Sequence, residues 1–185
     1  TVGFEPDYVT WGLHKDLFEK LEREVPRIRL TPLKGEVEDL RIVKDSHEVR
    51  LLQSAADLMS EVLAAVIEGL RPGMSEREVA WDIQDRLWRT AAEGVAFAPI
   101  VASGPNSALP HAVPTDRRLQ EGEPILLDVG ARYQGYCSDM TRTVFLGGPD
   151  PEFQEIYAVV RKAQEAGMAA VRPGVSSDVP DNAAR

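Results

Sequence analysis

The chain has 185 residues, 43% of them hydrophobic, with a formal net charge of −9 and a single cysteine. That is enough for one substantial core or a little more, and the acidic balance, with no long basic run, argues against nucleic acid as the main partner. No apolar run approaches the roughly 20 residues of a membrane span and the opening residues do not read as a signal peptide, so a cytoplasmic protein with no membrane partner is the default.

In chain order, TVGFEP reads as a strand, residues 7–24 as a helix, RIRLTPL as a second strand, and the next stretch as a polar connection reaching Lys44. Fewer than about 50 residues make a poor domain of their own. Residues 1–40 are therefore expected to be the tail of a preceding domain with its linker, and residues 41–185 a second, incomplete domain. Asp45 with Glu48 three residues later has the form of a capping box. It opens a long helix whose apolar stripe is Leu52, Ala55, Ala56, Met59, Val62, Val66 and Leu70, closed by Arg71-Pro72-Gly73. Ser75 with Glu78 opens another helix through Trp81, Ile83, Leu87 and Trp88, stopping near Gly94. VAFAPIVAS at 95–103 reads as a strand, followed by a loop rich in Gly, Pro, Asn and Ser.

The segment LRPGMS at 70–75 returns as VRPGVS at 171–176, and the helix before it returns as well. Phe153, Ile156, Tyr157, Val160, Ala163, Gly167 and Val171 stand where the first stripe stood, and a further helix opens at 178–185. Two structurally equivalent units are implied, the second lacking its strand and hairpin. The expected class is α/β, a pseudo-twofold domain present as its first half and the start of its second.

Between the units lies ILLDVGARYQGYCSDMTRTVFLG at 125–147, which reads as a β-hairpin with its turn at Tyr133, Gln134 and Gly135. A turn centred between Tyr133 and Gln134 sets Asp128 directly opposite Asp139. Opposed carboxylates in an apolar sheet repel, and burying one unpaired costs several kcal/mol. A divalent cation removes both penalties. The other reading has one aspartate accepting backbone bonds at a strand end and the other facing Arg142 or solvent. Cys137 reads as a small buried hydrophobe, since no zinc-type spacing surrounds it. Thr141 and Arg142 beside Asp139 read equally as partners of the carboxylates or as strand surface. In the loop, His111 stands between Pro110 and Pro114 and suits substrate contact or proton transfer; a solvated turn residue is the alternative. His14 and His47 fall on helix surfaces.

NSALPHAVPTDR, then EGEPILLDVGARYQGYCSDMTRTVFLG, together with LRIVKDSHEVRLLQSAADL and the RPG turns, resembles the pita-bread metallopeptidases. Within them it is most similar to the Xaa-Pro dipeptidase (prolidase) and Xaa-Pro aminopeptidase branch, and the likeness runs from about Leu40 onward. The resemblance implies a curved antiparallel sheet covered by helices. It implies metal ligation by Asp128 and Asp139, and substrate contact with oxyanion stabilisation by His111. It also implies two divalent ions (manganese, cobalt or zinc), proline-containing peptides as substrates, and a homodimer. The remaining family ligands, a histidine and two glutamates, have no counterpart in these residues, so the chain alone is expected to bind metal weakly and to be inactive. Three alternatives stay open: a methionine aminopeptidase, a metal-free creatinase-like hydrolase, and a non-catalytic binding protein on the same fold.

Overall fold

A computed structural model describes residues 1–185, and the chain divides into two compact units, Thr1–Val49 and Arg50–Arg185. In the first, β1 (Val2–Phe4) pairs in parallel with β2 (Leu30–Pro32), and α1 (Trp11–Glu24) makes the crossover. The helix starts at Trp11 rather than at residue 7, because the Thr10 hydroxyl accepts the Leu13 N–H and fixes the N-cap there. The expected polar connection contains a short helix, α2 (Glu36–Ile42), entered through Gly35 at φ +86°. The capping box forms as expected: Asp45 Oδ1 accepts from the amides of His47 and Glu48, and Glu48 Oε2 accepts from Asp45 N–H.

That box opens α3 (Ser46–Gly69), which buries Leu51, Ala55, Met59, Val62, Leu63 and Val66. The expected stripe is therefore right in period and slightly rotated, with Leu51 and Leu63 inside and Leu52 and Ala56 at its margin. Ser75 and Glu78 complete a second capping box for α4 (Glu76–Trp88). Val79, Ala80, Ile83 and Leu87 bury against α3 and the sheet, whereas Trp81 and Trp88 are largely exposed. Both tryptophans lie off the stripe set by Ile83 and Leu87. The helix ends at Trp88 instead of near Gly94 because the Thr90 hydroxyl donates to the carbonyl of Leu87 and accepts from Ala92 N–H.

The strand expected over 95–103 is two strands, β3 (Gly94–Val95) and β4 (Ile100–Ser103), interrupted around Pro99, which has no N–H for a ladder. Next come β5 (Pro124–Val129), β6 (Ala131–Tyr133), β7 (Tyr136–Cys137) and β8 (Met140–Phe145). They form two three-stranded sheets, ordered β4-β5-β8 and β3-β6-β7. Ile125, Leu127 and Val129 of β5 point into the core with α3 and α4. The alternate residues Leu126 and Asp128 stand on the opposite, more open face. Finally α5 (Pro151–Ala170), capped by Asp150, packs against α6 (Asp178–Ala184). The repeated stripe of α5 is uncovered here: no residue of this helix is buried.

Candidate metal and substrate site

Tyr133 pairs with Tyr136, so the hairpin turns on Gln134 and Gly135, at φ +47° and +81°. Two consecutive positive φ values suit a two-residue hairpin turn that matches strand twist. The turn centre lies one residue further along than expected, and the pairing shifts by two: Asp128 faces Thr141, not Asp139. Because side chains alternate with period two, an even shift preserves the face. Asp139 is thus a diagonal neighbour of Asp128, just outside β8, and exposed, while Asp128 is half-buried.

Thr141 is the residue that the shifted register brings to Asp128. Its hydroxyl donates to Asp128 Oδ1 at 2.8 Å, which orients the carboxylate. Arg142 turns away and donates to the Thr141 carbonyl. Beside Thr141, β8 and α5 border a cleft of about 690 Å³, lined by Arg142, Tyr157 and Arg161 among others. Cys137 is exposed rather than buried. The neighbouring Ser138 takes the inward position instead, donating from Oγ to the Ala55 carbonyl of α3 and accepting from Ala131 N–H.

His111 lies in the loop between β4 and β5, exposed, in a turn closed by Ala112 N–H on the carbonyl of Leu109. His14 stacks on Trp11 and Phe18, and His47 sits in the first turn of α3. No group of three His, Cys, Asp or Glu side chains gathers anywhere in the chain. Asp128 and Asp139 nevertheless fit a hard or borderline divalent cation, since both offer carboxylate oxygens on one open face.

One residue absent from the expected set dominates the electrostatics of the His111 loop. Glu76, in the first turn of α4, is completely buried. Its Oε1 accepts from Ser103 N–H and Ser103 Oγ, and its Oε2 from Thr115 N–H and Thr115 Oγ1. The Asn106 amide donates to both oxygens at 3.1 Å. Burial pushes the Glu76 carboxyl up, but the bonds from Thr115 and Ser103 together outweigh it and hold the pKa below the ordinary 4.5. A carboxylate depressed by folding adds stability that is present above 4.5 and is lost as pH falls through its folded value. The stability deficit of Glu76→Gln, measured by thermal melting, is therefore expected to be greatest near neutral pH and to shrink progressively below pH 4.5. A deficit that stays constant into acid would show that the charge of Glu76 carries none of it.

The family model of the metallopeptidase family M24 matches residues 50–185. The chain belongs to that family. An uncharacterised peptidase of Bacillus subtilis is 36% identical over 180 residues, covering 97% of this chain and 50% of that protein. The Xaa-Pro dipeptidase of Pyrococcus furiosus is 38% identical over 149 residues, covering 80% and 43%. Among solved structures, the X-Pro aminopeptidase of Thermotoga maritima superposes with a TM-score of 0.91 at 32% identity, covering 98% of this chain and 51% of that one. The prolidase of Pyrococcus furiosus gives 0.89 at 33%, covering 98% and 52%. The fold of this M24 chain is accordingly the pita-bread fold, and the chain spans about half the length of the relatives it matches. No helix is long and apolar enough to cross a membrane.

Proposed function

We propose that the full-length protein hydrolyses the bond preceding proline in short peptides, as a metal-dependent Xaa-Pro exopeptidase. The observation that carries this is the pair Asp128 and Asp139 on one open face of one hairpin, within an M24 chain similar to Xaa-Pro dipeptidases. Thr141 engages Oδ1 of Asp128, leaving Oδ2 for a cation, and Asp139 supplies the second carboxylate. Bound divalent ions supply Lewis acidity and lower the pKa of water. His111, protonated at the nitrogen facing the substrate, donates to the carbonyl oxygen of the scissile bond as negative charge grows there. Two ions drawn from manganese, cobalt or zinc and a homodimer complete the reading on the strength of the resemblance, and a cytoplasmic location is carried over from the reading of the sequence.

We place residues 1–40 outside the catalytic domain and 41–185 within it; the family match supports the second assignment from Arg50 onward, and the division into compact units falls after Val49, nine residues past that boundary. The resemblance calls for further ligands beyond Asp128 and Asp139, so the 185-residue chain alone is proposed to bind metal weakly and to show no peptidase activity. The test is hydrolysis of Xaa-Pro dipeptides and of longer peptides with proline second, by the manganese-loaded full-length protein, against matched peptides with alanine in place of proline. Cleavage before proline that a chelator abolishes is the expected result. Activity that survives complete metal removal would favour a creatinase-like hydrolase. Preferential release of N-terminal methionine would favour the methionine aminopeptidase reading, and metal binding without hydrolysis of any of these peptides a binding protein.

A further inference from the structure

Little packing holds the loop that presents His111. Leu109 is 57% and Val113 76% exposed, and of the residues between Gly104 and Pro114 only Ala112 is buried. Apolar burial on this scale cannot offset the backbone entropy of ordering the segment, roughly 1–2 kcal/mol per residue. Polar ties must supply the order, and they converge on one carboxylate.

We propose that Glu76 is the positioning residue for His111, its buried carboxylate tying together the start, the middle and the end of the loop that carries the imidazole. This rests on the reading of His111 as a substrate-facing group. Ser103 fixes the start through its N–H and hydroxyl, at 2.7 and 2.8 Å from Oε1. Thr115 fixes the end through its N–H and hydroxyl, at 3.0 and 2.6 Å from Oε2. Asn106 fixes the middle, and from it a short series of turns leads to the histidine: the Asn106 carbonyl accepts Leu109 N–H, and the Leu109 carbonyl accepts Ala112 N–H. His111 lies within that last turn.

The surroundings hold Glu76 itself in place. The first amides of α4 donate outward to the same segment, Glu76 N–H to the Arg117 carbonyl and Arg77 N–H to the Thr115 carbonyl. Arg117 is ion-paired to Glu123 and donates from Nε to the Ser103 carbonyl, so the last residue of β4, from which the loop departs, is gripped on its other side too. The carboxylate accepts from five donors belonging to three residues, Ser103 at the end of β4 and Asn106 and Thr115 in the loop. An amide at this position presents one oxygen and one NH₂, and the NH₂ would face donors.

The test is a double-mutant cycle in the manganese-loaded full-length protein, with Glu76→Gln, His111→Ala and the pair, read as separate kcat and KM values. Asn106→Ala is the milder companion, removing the middle tie while leaving the Ser103 and Thr115 bonds. Glu76→Gln is expected to lower kcat about 10- to 100-fold with little change in KM, the cost of a misplaced transition-state donor. In the His111→Ala background the same substitution should cost less than about twofold, because the group it positions is gone. Asn106→Ala should show the same dependence on His111 with a smaller drop. An equal loss in both backgrounds, or an undiminished kcat in folded Glu76→Gln, overturns the proposal. Should His111→Ala leave kcat unchanged, the substrate-facing reading fails instead, and amide hydrogen exchange over 104–114 decides the positioning. Protection lost there while α4 stays protected supports Glu76 as the residue that orders the loop; unaltered protection overturns it.

Discussion

Asp128→Asn in the full-length protein is expected to lower kcat/KM by roughly a thousandfold, equivalent to about 4 kcal/mol of transition-state stabilisation, and to reduce bound metal in the same preparation. The substitution is nearly isosteric. Asparagine Oδ1 can still accept the Thr141 hydroxyl that holds Asp128 at 2.8 Å, so hairpin and side-chain orientation survive and charge is what disappears. Asp139→Asn should act in the same direction. It tests a group without the Thr141 tie, and exposed within this chain. Thr141→Val separates orientation from charge: it keeps the carboxylate and removes its partner, for which a loss of about 10- to 100-fold in metal affinity is expected. Metal content and kcat/KM measured together check all three. Full metal occupancy and full activity in Asp128→Asn would remove this hairpin from the catalytic site.

What could be read from the amino acids, and what could not, divides along a physical line. Periodicity carried α3, α4 and α5, because burial on one face of a helix leaves a spacing that survives small rotations. The faces of Asp128 and Asp139 were legible for a similar reason: alternation along a strand is insensitive to an even slip in register. The register itself was not, because the turn places Gln134, a residue with no special preference for positive φ, at the first of its two central positions. Had the slip been one residue, one aspartate would have moved to the core face. Cys137 lies outside, against expectation, for want of any local mark, since what draws its neighbour Ser138 inward instead is a carbonyl on α3, 83 residues away. Glu76 is unreadable on the same grounds. In the first turn of α4 it stands beside Glu78, whose capping role is local and readable, while the partners of Glu76 lie 27 to 39 residues further on. Neither a buried carboxylate with distant donors nor a long-range hydroxyl contact leaves a trace in a window of neighbouring residues.

Gly130→Ala is expected to destabilise the protein by about 3 kcal/mol, the upper end of what overpacking a core costs, or to remove it from the soluble fraction. Gly130 is buried where the hairpin's two ladders meet, between β5 and β6. A Cβ there would drive into the backbone carbonyl oxygen of Ser138 and come within 2.9 Å of Phe97 Cε1 and 3.0 Å of Ala96 Cβ. The requirement is for space and not for an unusual backbone, because Gly130 has no left-handed φ. Ser138 cannot step aside cheaply: its N–H donates to the Ala131 carbonyl, its Oγ donates to the Ala55 carbonyl, and Ala55 is completely buried in α3. Moving it would leave buried polar groups without partners, at about 1–3 kcal/mol each. The position also bears on the site. Both halves of the hairpin share one register, and continuing it through the gap sets Gly130 opposite Asp139, two residues from Asp128 on the same face. A methyl group that forces the strands apart there separates the two carboxylates as well. Urea denaturation should therefore show the stability loss, and metal titration of whatever folded material remains should show weakened binding, although no ligand has been altered. A Gly130→Ala protein that unfolds at the wild-type urea midpoint would mean that the strands part at this point without cost, and that the close approach of Ser138 does not hold the aspartates in register.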